Sequence, residues 1–161
     1  MLVPYDGTRI PTSLYRLGAL ESVLARLHPQ QAILIFDGKT SPIVDQTKTP
    51  ATPRWDLDGE NTIRLIAVEG LAAGIEDDAH RHGLFTYYLL RGLRGEADTN
   101  RDGKITLGEI SGFVRQKVAW ASKSQFGTTQ RPQIIPLLKA DDKATDLVLT
   151  TLPSLAASET P

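Results

Sequence analysis

The feature that most constrains this chain is a twelve-residue stretch, residues 98–109, which lies between two segments of helical pattern. Oxygen-bearing groups recur in it at positions 1, 3, 5, 7, 9 and 12, and they belong to Asp98, Asn100, Asp102, Lys104 (through its carbonyl), Thr106 and Glu109. Gly103 stands at position 6, where a loop with this spacing must turn sharply. Calcium takes six or more oxygen ligands, and helix–loop–helix sites supply them in this order. The sequence therefore predicts one calcium-binding loop of the EF-hand type.

An acidic turn that binds no ion is the alternative for the same residues, since Asp, Asn and Gly favour turns for local reasons. Agreement at every ligand position, with the apolar Ile105 at position 8 to pack behind the loop, favours the calcium site. The sequence has no second loop of this type. Because an unpaired loop is less well pre-organised, we expect a calcium dissociation constant of ~10⁻⁴ M or somewhat tighter.

The composition is that of a globular domain. The chain has 161 residues, of which 40% are hydrophobic, and this predicts one domain with a substantial core. The net charge of −1 gives no bias towards nucleic acid or membrane surfaces as partners. The absence of cysteine excludes disulfides, cysteine-bound zinc and a thiolate nucleophile in this chain. Residues 1–6 lack the basic and apolar regions of a signal peptide, and no apolar run approaches the ~20 residues of a membrane span, so a cytoplasmic location is the default expectation.

Two apolar runs predict strands of a layered sheet. Ala32–Phe36 is continuous and apolar, which is typical of a strand buried on both faces in a parallel sheet. Thr62–Val68 is a second strand candidate, and Gln133–Leu138 and Leu147–Thr151 show weaker strand patterns. In open α/β sheets, ligand-binding and catalytic groups lie at the carboxyl ends of strands. We therefore expect such groups first at residues 37–41, which follow the first strand.

Apolar residues at helical spacing predict helices at Gly83–Gly95 and Leu107–Ser122, on either side of the calcium loop. An earlier helix, capped by Thr12 or Ser13, is predicted to run to Leu27. Strands that alternate with helices indicate an α/β layered fold.

Residues 82–98, which read HGLFTYYLLRGLRGEAD, resemble a segment of the bacterial caspase-like cysteine peptidases, the metacaspase- and paracaspase-related family. Leu2–Asp6 is similar to the family segment that follows the strand of the catalytic histidine, and Ile33–Ser41 aligns with the strand that ends at the nucleophile. The resemblance implies a mostly parallel sheet flanked by helices. It also implies a partial caspase-like domain over residues 1–152, missing its N-terminal strands, followed by a flexible tail at 153–161.

The chain departs from that family at the catalytic positions. Lys39 stands where the family has its cysteine, and the family's catalytic histidine would lie upstream of Leu2. A thiolate–imidazole mechanism needs both groups within hydrogen-bond reach. Lys39 or Ser41 as a replacement nucleophile is the alternative, but neither has a local base, and a solvated lysine is the simpler expectation. Asp37 matches the family acid that helps to bind a basic substrate residue, so it either marks a possible substrate pocket or simply ends the strand. His82 is expected to cap or pack.

Two functional hypotheses follow. The first is a catalytically inactive caspase-like domain that binds calcium and has a structural, regulatory or partner-binding role. The second is a part of a caspase-like cysteine endopeptidase whose catalytic residues come from a missing segment or a partner chain. A sheet without its early strands leaves an open edge beside Ala32–Phe36, and open edges template pairing with other chains. We therefore expect self-association or a protein partner at that edge.

Overall fold

The computed structural model describes residues 23–24, 26–27, 29–37, 62–68, 74–77, 81–136 and 142–153. Four predicted features lie outside the described residues: Lys39, Ser41, the Leu2–Asp6 segment and the tail 154–161. In the predicted first helix, residues 23, 24, 26 and 27 are described, and all four are helical. Among the described residues, no helix is both long enough and apolar enough to cross a membrane.

Besides the helical residues at 23–24 and 26–27, the described residues form seven short strands and two longer helices. The strands are β1 (Ala32–Phe36), β2 (Thr62–Ile66), β3 (Glu76–Asp77), β4 (His82–Gly83), β5 (Lys104–Thr106), β6 (Gln133–Ile135) and β7 (Val148–Thr151). The helices are α1 (Leu84–Arg91), which continues into a π-helical turn (Gly92–Glu96), and α2 (Leu107–Phe126), and a short 3₁₀ helix spans Lys143–Asp146. The fold is therefore mixed α/β. Every predicted strand and helix that lies in the described residues is present, with ends that agree with the prediction to within a few residues.

The main sheet has the strand order β1-β2-β6. β1 runs parallel to β2, with Ala32 opposite Thr62, whereas β6 runs antiparallel to β2. The parallel arrangement expected from the sequence thus holds for one of these two strand pairs. All residues of β2 are buried, but β1 is half-buried and Ile35 is 43% exposed. The expectation that Ala32–Phe36 is covered on both faces is wrong, because β2 and not β1 is central among the described strands.

The two helices pack against each other where Gly92 follows α1. A methyl group at Gly92 would collide with the side chains of Ile110 and Phe113 on α2, so the absence of a side chain allows this close approach. The apolar core lies between these helices and the main sheet, and its largest fully buried apolar side chains are Phe85, Leu65, Leu84, Ile105, Leu107, Ile110, Val114 and Val118. The core thus fixes α1 and α2, and with them both ends of the loop at residues 98–109.

Candidate metal centre

The predicted calcium loop joins the π-helical turn to α2. The π-helical turn ends at Glu96 and is broken at Gly95, whose φ of +120° is accessible to glycine but strained for other residues. Asp98 N–H donates to the Gly95 carbonyl at 3.1 Å. At the other end Thr106 is the N-cap of α2 and its hydroxyl accepts from Glu109 N–H at 3.3 Å. The loop is therefore held by one helix terminus on each side.

The sharp turn expected at position 6 is present. Gly103 has a φ of +76°, and its N–H donates to Oδ2 of Asp98 at 3.0 Å. This bond links the sixth residue of the loop to the first and closes the chain on itself. Asp98 is therefore held by one of its two carboxylate oxygens.

Asn100 and Asp102 form consecutive turns with their own backbone. Asn100 Oδ1 accepts from Asp102 N–H at 3.0 Å, and Asp102 Oδ1 accepts from Lys104 N–H at 2.8 Å. A third bond joins Asn100 Nδ2 to Asp102 Oδ2 at 3.1 Å. Such bonds to the residue two positions on are the local preference of Asn and Asp in turns. They bring the side chains of positions 3 and 5 into direct contact.

The carbonyl of Lys104 is directed by a strand pairing. β5 pairs antiparallel with β7, with Lys104 opposite Thr151, and Leu152 N–H donates to the Gly103 carbonyl at 2.7 Å. Opposed residues in such a pair alternate between hydrogen-bonded and non-hydrogen-bonded. Gly103 and Leu152 are hydrogen-bonded, so the backbone groups of Lys104 face away from β7. Its N–H does point at Asp102, and its carbonyl faces the same side, as position 7 of a calcium loop requires.

Glu109 lies across the loop from one end to the other. Its Oε2 accepts from the N–H and hydroxyl of Thr106 at 3.0 and 2.9 Å, which completes a capping box at the start of α2. Its Oε1 accepts from the N–H and hydroxyl of Thr99, both at 3.0 Å. Partial burial raises the pKa of this carboxyl, but the hydrogen bonds from Thr106 and Thr99 outweigh it and leave the pKa below its ordinary value. Glu109 is thus anionic at neutral pH.

One oxygen of the loop is buried and has no hydrogen-bond partner, namely Oδ1 of Asp98. Burying an anionic oxygen without a partner is costly, and a cation is one group that would satisfy it. Ile105 behind the loop is fully buried, as its position predicts. The donor set of carboxylates, an amide oxygen, a hydroxyl and a carbonyl fits a hard, oxygen-binding cation such as calcium.

The loop carboxylates bind loop N–H groups in this structure and do not converge on one point. Among the described residues, no group of three or more His, Cys, Asp or Glu side chains is gathered closely enough to hold a metal ion. The predicted ligands therefore share one closed loop without forming a finished coordination shell.

Asp37 occupies the carboxyl end of β1, as expected, and contacts the start of α1. Its Oδ2 accepts from the hydroxyl of Thr86 at 2.5 Å and from Thr86 N–H at 3.3 Å. The helix N-cap position is Gly83, which has no side chain, so Asp37 supplies the capping carboxylate from another strand. The expectation that His82 caps or packs is wrong, since it is exposed and lies in β4 opposite Asp77.

Two contributors to the loop were missed by the sequence reasoning. Thr99 at position 2 anchors Glu109, and a hydroxyl at that position is the signal that could have suggested it. β7 was expected as a strand, but its pairing with the loop was not, because sequence patterns show strands and not their partners.

Comparison of the chain with protein-family models, with curated proteins and with solved structures gives no match.

Proposed function

We propose that residues 98–109 bind one calcium ion through Asp98, Asn100, Asp102, the Lys104 carbonyl, Thr106 and Glu109. The observation that carries the proposal is the buried, unpartnered Oδ1 of Asp98 at position 1 of a loop whose remaining oxygens follow the calcium spacing. The ion has a structural or regulatory role, because the loop joins the two helices that form the core with the main sheet.

The electrostatics of the loop support a divalent cation. Asp98, Asp102 and Glu109 contribute three negative charges to a short segment, and the side chains of Arg101 and Lys104 in the same loop are exposed. The carboxylate oxygens of Asp98 and Asp102 each keep at least one lone pair beyond the present hydrogen bonds, whereas Glu109 accepts four bonds and would give up some of those from Thr99 and Thr106 to bind an ion. Rotation of side chains, without a change in the backbone turn at Gly103, is the adjustment that binding requires. Magnesium is disfavoured because it demands a tighter octahedron.

The test is a calcium titration of chelator-stripped protein by calorimetry, paired with thermal unfolding. At calcium a hundredfold above the dissociation constant, linkage stabilises the folded state by about 2.7 kcal/mol, which raises the melting temperature by roughly 5–10 °C. Glu109→Gln should remove most of both signals while keeping the capping box, which accepts Gln. The matched control is Glu76→Gln, the same change at an exposed residue of β3, which should leave both signals intact.

An outcome with no calcium heat and an unchanged melting temperature in millimolar calcium would show that the loop is an acidic turn. A shift that Glu109→Gln and Glu76→Gln reduce equally would place the bound ion elsewhere on the chain. Equal responses to calcium and magnesium would argue for a less selective site than the loop geometry supports.

We further propose that the domain is of the caspase-like type and has no peptidase activity. Support comes from the resemblance of residues 82–98, from the parallel β1–β2 pair, and from Asp37 at the carboxyl end of β1. The 161 residues contain no cysteine, so they hold no thiolate nucleophile. The intact chain should not hydrolyse peptides with Arg or Lys before the scissile bond, with or without calcium. Turnover that survives repurification and is lost in Lys39→Ala would contradict this.

A protein contact at β1 is the third part of the proposal. Among the described strands β1 pairs with β2 alone, and its Ile35 is 43% exposed. An open edge with an exposed apolar side chain is a template for strand addition. Sedimentation should show concentration-dependent association that Ile35→Lys weakens. A monomer at all concentrations would remove self-association from the proposal.

A further inference from the structure

The strand inside the candidate calcium loop is paired with a segment near the end of the described chain. Ile105 of β5 lies opposite Thr150 of β7, with an irregularity in register between Ile105 and Thr106. Two more backbone bonds flank this pairing: Leu152 N–H to the Gly103 carbonyl at 2.7 Å, and Leu107 N–H to the Leu147 carbonyl at 2.8 Å. Residues 103–107, positions 6–10 of the loop, are therefore paired along their length with β7 and its neighbours.

Side chains of the same segment contact both flanks of the loop. Before the loop, the position of a Cβ on Gly95 lies 3.2 Å from the Leu152 side chain. At the end of the loop, in the first turn of α2, the same position on Gly108 lies 3.1 Å from Cβ of Thr145. Both glycines let residues 142–153 approach closely. The segment thus contacts Gly95 at the end of the first helical segment and Gly108 in the first turn of α2.

This arrangement gives the single loop a partner within its own chain. The pairing fixes the direction of the Lys104 carbonyl, because Gly103 and Leu152 form the neighbouring hydrogen-bonded pair. Holding the loop in this conformation before an ion arrives reduces the ordering cost of binding. A calcium ion and the docked segment that both favour this loop conformation are thermodynamically coupled. The coupling acts equally in both directions.

We propose that β7 is the intrachain partner of the calcium loop, so that calcium binding and docking of residues 142–153 strengthen each other. The proposal rests on calcium binding at residues 98–109 and names its regulatory consequence. Calcium holds the C-terminal segment against the core, and calcium removal weakens that attachment. The segment is in turn required for full calcium affinity.

The test compares two proline variants of β7 by calcium calorimetry. Thr150→Pro removes the N–H of a residue that is hydrogen-bonded to β5, since Thr150 lies opposite Ile105 in the hydrogen-bonded register. Thr151→Pro is the matched control, because Thr151 lies opposite Lys104 and its N–H faces away from β5. Typical coupling between sites is about 5–150-fold in affinity. We expect Thr150→Pro to weaken calcium binding by at least about tenfold, and Thr151→Pro by less than about threefold.

A second measurement uses the unmodified chain and needs no variant to fold. Hydrogen exchange of the Leu152 amide, which donates to Gly103, should slow on calcium addition, while the buried amide of Gln130, which is remote from the loop, reports general stabilisation. Slowing at Leu152 beyond that at Gln130 is the expected result. If the chain binds calcium but Leu152 slows no more than Gln130, or the two proline variants bind equally, the coupling is overturned while calcium binding stands. If the unmodified chain binds no calcium, the proposed function itself fails.

Discussion

Gln130 donates a hydrogen bond from Nε2 to the carbonyl oxygen of Ala67, at 3.0 Å, in a fully buried position. Its Oε1 accepts from Ile75 N–H at 2.9 Å, and its own N–H donates to Oγ of Ser122 at 3.0 Å. The side chain of Gln130 thus joins the end of β2 to the segment before β3, and its backbone N–H ties both to the last turns of α2.

The first prediction concerns this contact. Gln130→Ala leaves the Ala67 carbonyl and the Ile75 N–H without their partner, and unsatisfied buried groups cost about 1–3 kcal/mol each. The free energy of unfolding in urea should fall by at least about 2 kcal/mol. Gln116→Ala, the same change at an exposed position of α2, should stay within about 0.5 kcal/mol. Equal effects of the two variants would mean that the buried amide contributes nothing specific.

The second prediction uses two glycines at which an added methyl group meets no atom within 4 Å. Gly103 has a φ of +76°, so Gly103→Ala should lower the free energy of unfolding by about 1–2 kcal/mol through backbone strain alone. Gly112 lies inside α2, so Gly112→Ala should raise it by roughly 0.5–1 kcal/mol. Chemical unfolding in the presence of a chelator measures the stability changes of both variants without a contribution from calcium. A stabilising Gly103→Ala would show that the loop turns differently in solution.

The third prediction concerns the start of α1. Asp37→Ala removes the carboxylate that caps this helix from β1, and the loss of a cap costs about 0.5–2 kcal/mol. A methyl group on Gly83 would lie 2.9 Å from Oδ2 of Asp37, so Gly83→Ala should displace the same carboxylate. The two substitutions together should therefore cost less than their sum in a double-mutant cycle. Full additivity would contradict a shared mechanism. Asp146→Ala, at an exposed residue, is the control.

The fourth prediction is a pH dependence. Burial raises the pKa of the Tyr88 hydroxyl above its ordinary value, and the neighbouring Arg91 offsets part of that rise. Since the folded state holds this proton more tightly, its contribution to stability is fully present below about pH 10 and is lost as the pH rises further. The free energy of unfolding should fall more steeply above about pH 10 in the unmodified chain than in Tyr88→Phe. If the free energy of unfolding falls in parallel with pH for the two proteins, Tyr88 has the same pKa in the folded and the unfolded state.

Local pattern alone determined much of this structure. The apolar run Ala32–Phe36 forms a strand over the predicted residues. α2 begins at the predicted Leu107 and runs past the predicted Ser122 to Phe126, where Gly127, with a φ of +63°, ends it. The turn at Gly103 and its bond to Asp98 also follow from the sequence, because every partner lies within a few residues along the chain. Interactions between residues a few positions apart depend on residue type and spacing, and both can be read from the sequence.

Tertiary structure decided the contacts between distant segments. The sequence places Asp37 at a strand end, but only packing brings its carboxylate to Thr86 on α1. It predicts a strand near residues 147–151 without showing that Thr150 pairs with Ile105 in the loop. Strand propensity is set by single residues, whereas strand pairing depends on which backbone groups the core leaves facing each other. The spacing of the proposed ligands is therefore a property of the sequence, and the conformation that holds the loop is a property of the fold.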